Sequence, residues 1–142
     1  MTPLERAIEI AVTAHAGQKD KAGAPYILHP LRVMLSLEGD AERIVGVLHD
    51  VIEDCPGWSL DRLRGEGFSD EVLAALALVT KQSEAEDYTA FIDRCRQNPV
   101  SRRVKRADLL DNLDVRRLPE VTESDALRLG KYGRALRQLD AI

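Results

Sequence analysis

A chain of 142 residues with 44% hydrophobic, 31% charged and 4% aromatic residues has the balance of one globular domain around one core. Its formal net charge of −4 argues against DNA or long RNA as a partner, because polymeric nucleic acid is held by a basic excess. No apolar run reaches the roughly 20 residues that cross a bilayer, and the opening MTPLERAIEIA lacks the basic-then-apolar order of a secretory signal. A cytoplasmic protein without a membrane partner is therefore expected. Cys55 and Cys95 form no CxxC pair and read as reduced thiols.

Leu4, Ala7, Ile8, Ala11, Val12 and His15 recur at helical spacing, with Thr2-Pro3 as N-cap and N1 and Gly17 as the stop. His15 ends the apolar face and reads as a packed structural histidine. Gln18 to Tyr26 is a loop. A second helix is expected from about His29-Pro30 to Glu38, and Gly39-Asp40 breaks it with Asp40 as the next N-cap. Proline at N1 would place His29 at a cap position with its ring projecting outward. A third helix is expected over Ala41 to Cys55. Its apolar stripe is Ile44, Val47, Leu48, Val51, Ile52 and Cys55. His49, Asp50, Glu53 and Asp54 then share an arc of about 140° on the other side, with Gly46 one turn earlier.

Further helices are expected after Ser59, over Asp70 to Lys81, Glu86 to Gln97, Val100 to Leu118 and Glu123 to Leu139. No strand, repeat or dividing linker is evident. The expected fold is thus all-α, a single helical bundle over residues 1–142. Trp58, after Pro56-Gly57, reads as a cover on the core.

The polar arc of the third helix carries the chemistry. Three carboxylates and an imidazole on one arc repel one another unless solvent screens them or a cation sits among them. Imidazole nitrogen with carboxylate oxygen suits Mn, Fe, Zn or Mg. The competing reading is a solvated acidic surface. His29 precedes a proline in PYILHPLRV, and Asp108 sits in VKRADLLDNLDVRRL with Asn112 one turn on. The competing readings are a half-buried loop histidine and a surface carboxylate paired with Lys105 or a nearby arginine. Two basic groups, Arg102, Arg103, Lys105 and Arg106, then Arg128, Lys131, Arg134 and Arg137, read either as solvated helix faces or as a phosphate-attracting rim.

The order H…HD…D, with HAGQKDKAGAPYILHPLRV, VLHDVIEDC and VKRADLLDNL, resembles the HD superfamily of metal-dependent phosphohydrolases. It is similar in particular to the hydrolase domain of the Rel/Spo alarmone enzymes and to their small stand-alone hydrolases. The resemblance runs from about Glu5 to Leu136. It implies an HD-domain bundle with His29, His49, Asp50 and Asp108 as metal ligands and Mn²⁺ as the ion. Glu53 and Asp54 would position and deprotonate the attacking water. Lys21, Asn112 and Tyr132 would contact the nucleotide, and Thr80-Lys81 matches a V-T-K-like stretch of the family. The implied activity is release of pyrophosphate from the 3′ position of guanosine 3′,5′-bis(diphosphate). A chain of this length has room for degradation but not synthesis of the alarmone. The partner would be a small nucleotide, and a homo-oligomer is compatible with the resemblance. The alternatives are hydrolysis of another nucleotide, a triphosphate or a monophosphate, and a non-catalytic nucleotide-binding module.

Two positions depart from the Rel/Spo pattern. GQxRK becomes Gly17-Gln18-Lys19-Asp20-Lys21, and N-L-R becomes Asn112-Leu113-Asp114. If both acids face the nucleotide, they disfavour a polyphosphate and shift preference away from the alarmone, unless Lys19 or Arg116 compensates.

Overall fold

In the computed structural model, which describes residues 1–142, the apolar stripes of the sequence fold as α-helices. They are α1 (Pro3–Ala14), α2 (Leu28–Leu35), α3 (Asp40–Leu48), α4 (Val51–Asp54), α5 (Leu60–Gly65), α6 (Asp70–Val79), α7 (Tyr88–Cys95), α8 (Pro99–Asn112) and α9 (Glu123–Asp140). A 3₁₀ turn over Val115–Arg117 precedes α9. The only β-type pairing is an isolated bridge between Lys19 and Pro25, which pinches the loop after α1. No helix is long and apolar enough to cross a membrane.

Side-chain caps explain the starts of α1 and of α5 to α9. Thr2 and Glu5 exchange hydrogen bonds in a capping box ahead of Pro3, as Thr122 and Asp125 do at α9. Ser59 accepts from Arg62 N–H, so S-x-x-R still caps α5. Asn98 does not merely end the preceding helix. It accepts from the backbone N–H groups of Val100 and Ser101, with Pro99 at N1 of α8.

Helix α3 is the axis of the bundle, packed against α1, α2, α6 and α8. Ile44 to Leu48 are all buried, and Ile44, Val45, Val47 and Leu48 join one core cluster of 27 residues running from Ala7 to Leu139. Gly46 belongs to this packed surface rather than to a polar arc. A Cβ there would lie 2.9 Å from Leu37 Cδ1 and 3.4 Å from Val33 Cγ1, so only glycine lets α2 lie this close.

The expected helix over Ala41 to Cys55 is interrupted. Helix α3 starts at Asp40 with Gly39 as N-cap, stops at Leu48, and resumes as α4 at Val51. Asp50 sits at φ −102°, ψ −2°, in the bridge region between helix and strand. The His49 ring donates to the Gly46 carbonyl at 2.6 Å, a side-chain bond to an acceptor of the helix's own last turn. The second helix also starts earlier than expected, at Leu28. This puts His29 and Pro30 in its first turn, where a missing N–H costs nothing. It ends at Leu35, and α8 ends at Asn112 rather than Leu118, where Asp114 caps the 3₁₀ turn.

Candidate metal centre and nucleotide cleft

Three chain segments meet at the α3–α4 break. Helix α2 delivers His29, the break delivers His49 and Asp50, and α8 delivers Asp108. One ligand atom each of His29, His49 and Asp50 lies within 4.8 Å of the others. Asp108 Oδ1 stands 2.9 Å from His29 Nε2 and 3.3 Å from His49 Nε2. Asp50 Oδ2 stands 3.0 Å from His49 Nε2 and 3.7 Å from His29 Nε2. The His29 ring does not project outward from a cap. His29 is 6% exposed and faces inward, and His49 is 3% exposed.

Each ring is held from behind. His49 Nδ1 donates to Gly46 O, and His29 Nδ1 donates to Asp111 Oδ2 at 2.6 Å. Both Nε2 atoms are thereby turned toward the two carboxylates. This donor set fits a borderline divalent metal: two imidazole nitrogens with fixed tautomers and two carboxylates in one buried spot. The electrostatics point the same way. Burial alone would lower the His29 imidazole, but its bonds to Asp108 and Asp111 lift it above the ordinary value. Burial also opposes the charge on His49, and Asp50 and Asp108 outweigh that to lift it well above. Burial works against the Asp108 carboxylate, yet Lys105 and His49 hold it well below the usual range. Asp50 is likewise held low, chiefly by His49. The pocket therefore prefers positive charge, and protons on the two rings stand where a cation could.

The competing reading of Asp108 holds in part. Its Oδ2 pairs with Lys105 Nζ at 2.8 Å, but the pair is tucked into the fold rather than set on the surface. Asn112, expected to touch the nucleotide, donates to Asp108 Oδ1 at 3.1 Å, and it also lines the adjoining cleft. Glu53 and Asp54 stand at the mouth of the site. Desolvation of their protein-facing side and the Asp50 charge raise both above the usual carboxylate range. The Glu53 carboxylate accepts from the Lys81 backbone N–H, which ties the stretch after α6 to the site. No protein donor reaches the Asp54 carboxylate.

A cleft of about 440 Å³ opens from His29 outward, between the loop after α1 and helix α9. Lys21 and Tyr132, expected to contact the nucleotide, line it together with Lys19, Arg117 and Arg128. Of the basic groups, Arg102 goes to the Ala141 carbonyl, Arg103 to Glu42 and Arg106 to Asp140. Arg128 reaches the cleft while pairing with Asp125. Trp58 packs on the core under the Arg62 guanidinium, 3.7 Å from its ring centre. His15 is buried, with Nδ1 2.7 Å from Gln18 Oε1.

Asp20 and Asp114 both line the cleft, yet each is spoken for. Asp20 accepts from Ala22 N–H and Ala24 N–H at 2.9 Å and closes its own loop. Asp114 accepts from the Arg116 side chain and backbone and pairs with Arg117. Arg116 thus cancels the acid beside it instead of reaching the cleft.

Two residues of the site escape a sequence reading. Tyr26 donates to Asp50 Oδ2 at 2.5 Å, and Asp111 holds His29. The signal for each is helical or turn spacing, Tyr26 three before His29 and Asp111 three after Asp108.

The fold and the converged side chains define a helical bundle with two histidines and two aspartates at one buried spot. No family model matches the chain. Its sequence is 35% identical over 121 residues to a guanosine-3′,5′-bis(diphosphate) 3′-pyrophosphohydrolase of Aquifex aeolicus, covering 78% of this chain and 17% of that protein. It is 34% identical over 122 residues to a GTP pyrophosphokinase of Streptomyces coelicolor, covering 78% and 14%. A second 3′-pyrophosphohydrolase, from Borreliella burgdorferi, is 35% identical over 91 residues, covering 61% and 13%. The matched part of the chain spans about a seventh of the length of these relatives. The fold superposes on a solved metazoan ortholog of SpoT, described as hydrolysing ppGpp with a role in starvation responses. The TM-score is 0.80 at 20% identity, covering 99% of this chain and 87% of that one. The domain is accordingly of the HD type found in the Rel/Spo proteins.

Proposed function

We propose that this protein is a Mn²⁺-dependent phosphohydrolase that removes pyrophosphate from the 3′ position of guanosine 3′,5′-bis(diphosphate). The observation that carries the reading is the inward turn of His29 Nε2 and His49 Nε2 onto Asp50 and Asp108, beside a cleft rimmed by lysine and arginine. His29, His49, Asp50 and Asp108 would hold the ion. When bound, a divalent metal there supplies Lewis acidity toward a phosphoryl oxygen and makes water a stronger acid.

The chain's own groups do the rest. Asp54, free of protein donors and raised above its ordinary value, accepts a proton from water. Glu53, fixed by Lys81 N–H, orients that water. Lys19 and Lys21 enter no ion pair and are available to phosphate, and Tyr132 offers a face and a hydroxyl to the nucleotide. Asn112 steadies Asp108 from the cleft side. Buried, unpaired Cys55 and Cys95 suit a reducing compartment, in keeping with a cytoplasmic enzyme acting on a small nucleotide.

A second reading, preference for another nucleotide, rests on Asp20 and Asp114 lining the cleft. The test is incubation of Mn²⁺-loaded protein with the alarmone and a panel of nucleoside tri- and monophosphates, with products separated by anion exchange. GDP and pyrophosphate from the alarmone are expected. Faster turnover of another nucleotide would support the second reading. No hydrolysis of any member would overturn both.

A further inference from the structure

The two imidazoles of the metal centre are oriented by different means. His49 is held by a backbone carbonyl, so no substitution of a side chain releases it. His29 is held by Asp111, and Asp111 is itself clamped. Arg32 Nε donates to Asp111 Oδ1 at 2.8 Å and the Arg32 terminal nitrogen donates to Oδ2 at 3.1 Å, a bidentate fork. Arg117 donates to the Asp111 backbone carbonyl at 2.8 Å and lies 3.5 Å from Oδ2. The carboxylate that faces His29 therefore cannot rotate without breaking charge-assisted bonds. Arg32 also neutralises it, so a second acid beside the cleft adds no net charge toward a phosphate.

Resting on the metal reading above, we infer that Asp111 is the positioning residue of this centre and Arg32 its anchor. Asp111 holds the proton of His29 on Nδ1, which leaves the Nε2 lone pair for the ion. A ring released from Asp111 populates the other tautomer and other rotations, and either removes a donor from the site. The relay couples α2, which carries both His29 and Arg32, to α8, which carries both Asp108 and Asp111. One helix pair thus sets the position of two ligands together.

The test reads metal rather than turnover. Mn²⁺ affinity is measured calorimetrically for wild type, Asp111→Ala, Asp111→Asn and Arg32→Leu, each checked for folding by its metal-free melting curve. Asp111→Ala is expected to weaken binding by about 10- to 100-fold, the range for loss of a group that orients a ligand. Asp111→Asn, whose amide oxygen still accepts the Nδ1 proton, should recover most of that loss. Arg32→Leu should lose less than Asp111→Ala. Should the alanine variant not fold, long-range ¹H–¹⁵N spectra of Zn²⁺-loaded wild type decide the matter alone, with His29 expected to carry its proton on Nδ1. Wild-type affinity in Asp111→Ala, or a proton on His29 Nε2, would overturn the role of Asp111 and leave the metal reading standing. Wild type that takes up no Mn²⁺ would overturn both.

Discussion

The buried half of the site and its open half are built on opposite terms. In the buried half every polar atom of His29, His49 and Asp108 has a protein partner within hydrogen-bond distance. The rings are held from behind by Gly46 O and Asp111, so geometry is fixed before any ligand arrives. In the open half, Lys19 and Lys21 extend from an exposed loop closed by Asp20, and the opposite wall is a 3₁₀ turn capped by Asp114. The first half fixes the chemistry and tolerates no adjustment. The second can change residues without disturbing the first.

Asp108→Ala should break the buried half outright. It removes a ligand and strands Lys105 without its carboxylate, at a cost of about 3–5 kcal/mol for a broken buried pair. Chemical denaturation should show that loss, and elemental analysis should show a chain without bound metal. A stable, metal-loaded Asp108→Ala protein would mean that the ligand set is wrong.

Glu53→Gln probes the border between the halves. It should retain the metal and lower kcat by about 10²-fold, the cost of a misplaced attacking water. Loss of the metal would make Glu53 a ligand. Unchanged turnover would show that Glu53 does not orient the attacking water. Gly46→Ala tests whether the buried half has any slack. The added methyl meets Leu37 and Val33, so a loss of about 1–3 kcal/mol is expected from overpacking, read as a lower thermal midpoint.

Asp20→Asn gives the smallest effect and sharpens the open half. The amide oxygen can still accept from Ala22 and Ala24, so the loop stays closed while one negative charge leaves the cleft. Removing a repulsion of about 1 kcal/mol predicts a KM for the alarmone lower by about fivefold, with kcat unchanged. No change in KM would show that the loop's own bonds already screen Asp20 from the substrate.

How much of this was legible in the sequence follows the same division. Apolar spacing marks the helices because it is a property of single segments, and the order of His29, His49, Asp50 and Asp108 points to the centre only through a resemblance that spans several segments. The break between α3 and α4 is not legible. Ala41 to Cys55 keeps helical periodicity throughout, and only the bond from His49 to Gly46 O, a matter of side-chain rotamer, stops the helix. For the same reason Gly46 seemed to lie on a polar arc, although α2 packs directly against it. Asp111 and Tyr26 gain their roles only from contacts across the fold, Asp111 where α8 meets α2 and Tyr26 where the loop before α2 meets the α3–α4 break. Asp20 and Asp114 stand out in the sequence as charge reversals, and only the structure shows that local bonds absorb them.

The central claim is that one ion sits between α2, the α3–α4 break and α8. Diffraction from a Mn²⁺-soaked crystal, recorded at the manganese absorption edge, tests it most directly. The account predicts one strong anomalous peak per chain, about 2.0–2.3 Å from His29 Nε2, His49 Nε2 and an oxygen each of Asp50 and Asp108. A peak elsewhere, or none in crystals of protein that is fully active without added metal, would contradict it.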